Sequence, residues 1–190
     1  MARTYLISVD YLKEHTTINN NVDTNLLNSP IWEAQEINVH QIIGTKLYKK
    51  LLNLVNTNQI TDPANVKYKE LLDDYVQPVV TYWAWLYSLP YLAMKAVNKG
   101  VQRQVDENSN NANLDEVHYL EESIRDKADF FSQRLADFLQ QNSSDYPEYY
   151  RNNQIDELQP THNQAFQGIQ FDGDCGCIAS MGYNWQTITL

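Results

Sequence analysis

Residues 114 to 139 read LDEVHYLEESIRDKADFFSQRLADFL. Val117, Leu120, Ile124, Ala128, Phe131, Leu135 and Phe138 recur at steps of three or four, which sets them along one side of an α-helix. Glu121, Asp126, Asp129 and Asp137 fall on the opposite side. A stripe this wide is the mark of a helix packed on a core, and the seven-residue register of a coiled coil is not kept. The chain is therefore expected to be mainly α.

The segments upstream agree. Ser8 is placed to cap a short helix carrying Val9 and Leu12 and ending near His15, and residues 16 to 23 read as a polar loop. Asp23 or Thr24 can cap a second helix with Leu26, Leu27, Ile31, Ala34, Ile37 and Ile42 on its inner side, closed by Gly44. Thr45 follows at once and reads as the cap of a third helix containing Leu47, Leu51, Leu52, Leu54 and Val55, so two helices are expected to meet at a tight Gly-Thr corner. Asp62 before Pro63 marks the start of a fourth helix with Val66, Leu71 and Leu72 inside. Residues 79 to 97 form the most apolar stretch, with Pro78 read as a helix start and Pro90 as a kink. Residues 101 to 113, rich in Asn and charge and without periodicity, read as an exposed loop.

Downstream the character changes. Tyr146 to Tyr150 reads as an aromatic, extended stretch, and residues 151 to 163 are polar. Residues 165 to 190 nevertheless carry Phe166, Ile169, Phe171, Ile178, Met181, Tyr183, Trp185, Ile188 and Leu190, too many apolar groups for a free polar tail. Their partial alternation suggests short β-strands or an extended arm. The expectation is a compact bundle of about five to six helices over residues 1 to 150 and an extended C-terminal arm over 151 to 190. The nine arm residues are the candidate interface, buried by a neighbouring subunit or partner; a small hairpin folded on the same chain is the alternative.

With 190 residues the chain can bury a sizeable core without disulfides or metals. Its formal charge of −10 is uneven: residues 101 to 160 hold five basic and thirteen acidic groups, whereas residues 1 to 100 are balanced. An acidic surface repels phosphate backbones, so sequence-independent binding of nucleic acid is not expected without a basic patch built by oligomerisation. No apolar run approaches the length of a membrane span, and no membrane partner is expected. Cys175 and Cys177 are the only cysteines and provide no disulfide framework, which fits a cytoplasmic origin.

Catalytic constellations are weak throughout. His15, His40, His118 and His162 are scattered without a second ligand at helical or loop spacing. Asp172, Asp174, Cys175 and Cys177 mix hard and soft ligands in one short loop and lack a second pair for a closed zinc site; the plainer reading is a Gly-rich turn. The neighbouring acids Asp73 with Asp74, and Glu121 with Glu122, point about 100° apart on a helix and do not converge. No glycine-rich phosphate loop is present. Tyr82, Trp83, Trp85, Tyr87 and Tyr91 could line a pocket, but aromatics on an apolar helix more commonly fill a core. No catalytic residue, metal or cofactor is expected.

The stretches Ile7 to Lys13, Asn21 to Asp23, Ala34 to Glu36 and Ile43 to Tyr48 together resemble the N-terminal half of head–tail connector (adaptor) proteins of tailed phages. Tyr75 to Pro78, Asn98 to Val101, Glu107 to Ser109 and Tyr146 to Tyr149 are similar, more particularly, to neck or ring proteins of crAss-like phages of Bacteroidetes. The resemblance covers roughly residues 5 to 150, on structural corners rather than catalytic signatures. It implies a virion protein, assembled in the host cytoplasm, that forms a homo-oligomeric ring, usually a dodecamer, beneath the portal protein and beside other neck or tail rings. Genomic DNA would pass through such a ring without sequence-specific binding. Alternative readings are another neck position, such as a stopper or tail-side adaptor, and, from other classes, a small metal-dependent hydrolase or a host-directed helical binding module.

Overall fold

The structure, a computed structural model, describes residues 3–97, 100–103, 114–149, 158 and 160. Helix α1, Val9–Glu14, opens where the Ser8 hydroxyl accepts the Tyr11 N–H at 3.0 Å, satisfying one of the donors that a helix start leaves bare. Helix α2, Thr24–Ala34, is opened likewise by Asp23, whose carboxylate accepts the Asn25 N–H at 2.9 Å. It continues without a break through a π-helical turn, Gln35–Val39, into α3, His40–Ile43. Gly44 ends that run with φ 75° and ψ 161°, and α4, Thr45–Asn56, begins at the next residue. A side chain at Gly44 would clash with its own backbone, so the corner requires glycine.

Two short 3₁₀ turns, Gln59–Thr61 and Pro63–Asn65, lead into α5, Val66–Glu70, a second π-helical turn, Leu71–Val76, and α6, Gln77–Ala93. An antiparallel hairpin follows, β1 Met94–Val97 with β2 Gly100–Arg103, Met94 opposite Arg103. Helix α7, Leu114–Gln141, closes the bundle. The described residues thus form five helical runs and one hairpin, the mainly α architecture that the periodicity predicts.

Helix α6 is central, packed against α2 on one side and α7 on the other. Tyr75 stacks on Phe138 at 3.9 Å, Tyr82 stacks on Phe131 at 5.0 Å, and the Trp83 indole N–H donates to the Ser132 hydroxyl at 2.9 Å. Rising numbers on one partner meet falling numbers on the other, so α6 and α7 are antiparallel. Leu27, Ile31, Ile42, Ile43, Leu47, Leu51, Leu71, Ile124, Leu135 and Leu139 are fully buried. Each such side chain contributes roughly 1.5 to 3 kcal/mol relative to exposure.

Several boundaries differ from expectation. The most apolar helix stops at Ala93 instead of Val97, and residues 101 to 103, expected in a loop, join Gly100 in strand β2. Pro78 stands in the first turn of α6, where a proline is expected, although the π-helical turn Leu71–Val76 leads into that helix without a break. Asp62 makes no side-chain cap, and Pro63 opens a 3₁₀ turn before the α-helix proper. Ile37 is 48% exposed because five residues, not three or four, separate it from Ile42; Gln35, Asn38 and Val39 face inward instead. The Gln35 amide accepts the Leu6 N–H at 3.2 Å and donates to the Thr4 carbonyl at 3.1 Å, so this buried polar group ties down the N-terminal segment.

Val66 is exposed, and on α7 the inward face is Ile124, Ala128, Ser132, Leu135 and Leu139, with Phe131 and Phe138 at its edge. Leu120 is 40% exposed, since α6 ends opposite this part of α7. Tyr146 and Tyr149 belong to the core, not to an extended tail. The nine candidate arm residues, Phe166 to Leu190, lie outside the described residues, as do residues 104 to 113, the acidic and cysteine-bearing loop from Asp172 to Cys177, and His162.

Candidate functional site

The tight corner between α3 and α4 gathers side chains that are distant from one another in chemistry and, in one case, in sequence. The α2–α3 run sets Glu36 and His40 one turn apart, and the turn at Gly44 brings Thr45 and Tyr48 back over them. His40 Nε2 lies 2.9 Å from Thr45 Oγ1, and His40 Nδ1 lies 3.4 Å from a Glu36 carboxylate oxygen. The Tyr48 hydroxyl donates to the other Glu36 oxygen at 2.8 Å, and the Tyr48 and His40 rings stack with centroids 4.5 Å apart. Burial, reinforced by the hydrogen bond to Glu36 and its negative charge, pushes the Tyr48 phenol far above its ordinary range, so Tyr48 is a permanent donor here.

The remaining partner comes from the other end of the chain. The Leu158 N–H donates to Thr45 Oγ1 at 2.9 Å, and the Thr45 N–H, the first orphan donor of α4, donates to the Leu158 carbonyl at 3.2 Å. Pro160 is buried two residues further on. With the imidazole proton on Nδ1, beside Glu36, the Thr45 hydroxyl can donate to His40 Nε2 while it accepts the Leu158 N–H. Contrary to the sequence expectation, Thr45 does not cap α4. It is the first helical residue, and its hydroxyl joins Leu158 to the bundle.

A hydroxyl, an imidazole and a carboxylate in this order are also the elements of a nucleophilic relay. Thr45 is only 5% exposed, however, and its oxygen is engaged by the Leu158 amide. The arrangement is built to hold a chain segment. The spacing 36, 40, 45 and 48 was the available signal for it; Leu158 had none, because the contact spans 113 positions.

The other expected sites resolve as follows. Among Tyr82, Trp83, Trp85, Tyr87 and Tyr91, Trp85 is buried in the core and Tyr82 packs on Phe131. Trp83, Tyr87 and Tyr91 line an open cleft of about 560 Å³ with Glu33, Glu121 and Arg125. The Tyr87 hydroxyl donates to Asn38 at 2.9 Å and that of Tyr91 to Glu33 at 2.9 Å. His15 stacks on Tyr11, and His118 lies 3.3 Å from Glu121. Asp73 pairs with Lys69 at 2.5 Å. No group of three or more potential metal-ligating acids, histidines or cysteines occurs among the described residues, and none of their helices is long and apolar enough to cross a membrane.

Residues 39–158 match the model of a family of unknown function, DUF6712, and the chain belongs to that family. The matched segment begins at the last residue of the π-helical turn before His40 and ends at Leu158, so it contains Thr45 and its partner Leu158. No curated protein and no solved structure matches the chain.

Proposed function

We propose that this DUF6712 member is a structural virion protein without enzymatic activity, a subunit of a ring in the portal-to-tail neck of a tailed phage. The observation that carries the reading is the two-way bond between Thr45 and Leu158. It fixes the root of the arm on the helical bundle, and thirty residues bearing Phe166, Ile169, Phe171, Ile178, Met181, Tyr183, Trp185, Ile188 and Leu190 follow Pro160. An apolar segment leaving a rigid anchor is the device a heterologous ring needs, because each joint repeats around the axis and each arm adds buried area to it.

Three further points support the reading. The stretches that resemble head–tail connector proteins lie within roughly residues 5 to 150, on the helical bundle itself. The mainly helical fold is the one this resemblance implies. The outward side of α7 presents Glu122, Asp126, Asp129 and Asp137, all exposed and flanked by the exposed Arg125, Lys127 and Arg134, and a face on which acids outnumber bases gives passing DNA little to adhere to. In this reading the partners are other copies of the chain, the portal protein and adjacent neck or tail rings, with genomic DNA as passing cargo.

The test is assembly. Full-length protein is mixed with purified portal protein and imaged by electron microscopy, beside a variant truncated after Pro160. Closed rings docked on the portal with the full chain, and none with the truncated chain at equal helical content, are the expected result. A full chain that stays monomeric beside portal protein contradicts the proposal.

A further inference from the structure

On the side of α7 away from the core, Phe130 is 64% exposed. It packs edge-on against Phe131 at 5.4 Å and otherwise faces outward. Beside it lies an open groove of about 340 Å³ lined by Tyr75, Phe130, Gln133, Arg134, Asp137, Phe138 and Gln141. Tyr75 and Phe138 are stacked, and the Arg134 guanidinium sits over the Tyr75 ring at 4.8 Å from its centre. The groove therefore has aromatic walls already held in place and a rim of amide, guanidinium and carboxylate groups, in which the Gln133 amide donates to Asp137 at 2.7 Å. Tyr119 is 76% exposed and stands eleven residues, three helical turns, before Phe130, so the same side of α7 carries a second outward aromatic.

We propose that this groove receives the C-terminal arm of a second copy, with an aromatic side chain of residues 176 to 190 seated between Phe130 and Tyr75. The inference rests on the ring reading above and names the surface that the arm engages. Two observations select this occupant. Residues 176 to 190, GCIASMGYNWQTITL, contain no charged side chain, carry Tyr183 and Trp185, and supply Ser, Asn, Gln and Thr groups that can donate to the Asp137 carboxylate and accept from Arg134 on the rim. The arm also starts from a fixed point at Leu158 and Pro160, and thirty extended residues reach on the order of 100 Å. A domain of this size has a radius of gyration of only about 14 Å, so the arm is long enough to pass its own bundle and reach a neighbour.

The test uses the full chain with a photoreactive benzoyl-phenylalanine in place of Phe130, mixed with heavy-isotope-labelled wild-type chain and irradiated under assembly conditions. A crosslink from position 130 of the light chain to a heavy peptide within residues 176 to 190 is the expected product. A crosslink only to the light chain's own arm, or to any segment outside the arm, or no crosslink, overturns the proposal. Phe130→Glu supplies the second arm of the experiment: because the side chain is exposed, helical content and melting temperature should stay at the wild-type level, while the dissociation constant for self-association rises by at least about tenfold. If truncation after Pro160 blocks assembly but Phe130→Glu and the photoprobe are silent, the groove is the wrong surface and the ring reading stands. If truncation leaves assembly intact, the ring reading fails as well.

Discussion

Thr45 and Leu158, 113 positions apart, exchange two hydrogen bonds: the Leu158 amide donates to the Thr45 hydroxyl at 2.9 Å, and the Thr45 amide donates to the Leu158 carbonyl at 3.2 Å. Behind the hydroxyl stand His40 at 2.9 Å, Glu36, and the phenol of Tyr48. Leu158 is thus held by a partly buried relay in which each of these polar groups has a partner, and such relays lose more when one member is deleted than the net value of one bond.

Thr45→Val keeps the shape of the side chain and removes the hydroxyl, leaving the Leu158 amide and His40 Nε2 unsatisfied. The expected loss is about 1 to 3 kcal/mol, read as a lower urea midpoint, together with faster hydrogen exchange at the Leu158 amide. Thr45→Ser should behave as wild type in both measurements. Unchanged exchange at Leu158 in the valine variant would show that the hydroxyl does not hold the arm.

Gly44 occupies φ 75° and ψ 161°, a region open almost only to glycine. Gly44→Ala should cost on the order of 1 to 3 kcal/mol and should also loosen the arm, since the turn sets Thr45 against Leu158. A melting temperature equal to wild type would contradict the assigned corner.

The register of α7 can be tested with two truncations of the same chemistry. Leu135 is fully buried, and Leu135→Ala should cost roughly 2 to 5 kcal/mol. Leu120→Ala, at an exposed position of the same stripe, should stay within about 0.5 kcal/mol in the isolated chain. Equal effects from the two substitutions would mean that the helix is rotated or that its first turns are covered.

Alkaline pH should weaken the fold through its buried phenols. Burial raises Tyr68 and Tyr146 to about 12, with the carboxylate of Glu148 adding to the first and those of Glu70 and Asp145 to the second. A phenol raised above its unfolded value of 10.0 holds its proton more tightly when folded. The stability it contributes is complete below pH 10 and is lost as pH rises from 10 toward 12. Chemical denaturation across that window should show a falling midpoint, with a shallower fall for Tyr146→Phe. A flat profile for the wild type would contradict the burial assigned to these groups.

Much of the helical scaffold was legible from periodicity and caps. Ser8 and Asp23 bond the first-turn amides as a capping residue should, Gly44 makes the corner, and Ile124, Ala128 and Leu135 face the core. The π-helical turns left no mark in the apolar pattern, because polar residues with buried partners, Gln35 and Asn38, stand where apolar ones would be sought. Strand β2 was hidden for another reason: Val101, Gln102 and Arg103 resemble a loop in composition, and only pairing with Met94 to Val97 defines them. The anchor was half visible. Glu36 with His40, and Thr45 with Tyr48, are spaced one helical turn apart on the two helices that meet at Gly44, but nothing local announces that Leu158 completes the set.

The central claim is that the arm rooted at this corner joins subunits into a ring. Mass photometry and electron microscopy of the full chain and of the chain truncated after Pro160, each with portal protein, test it most directly. Closed rings from the full chain and monomers of unchanged helical content from the truncated chain are predicted. Rings from both, or monomers from both, would contradict the account.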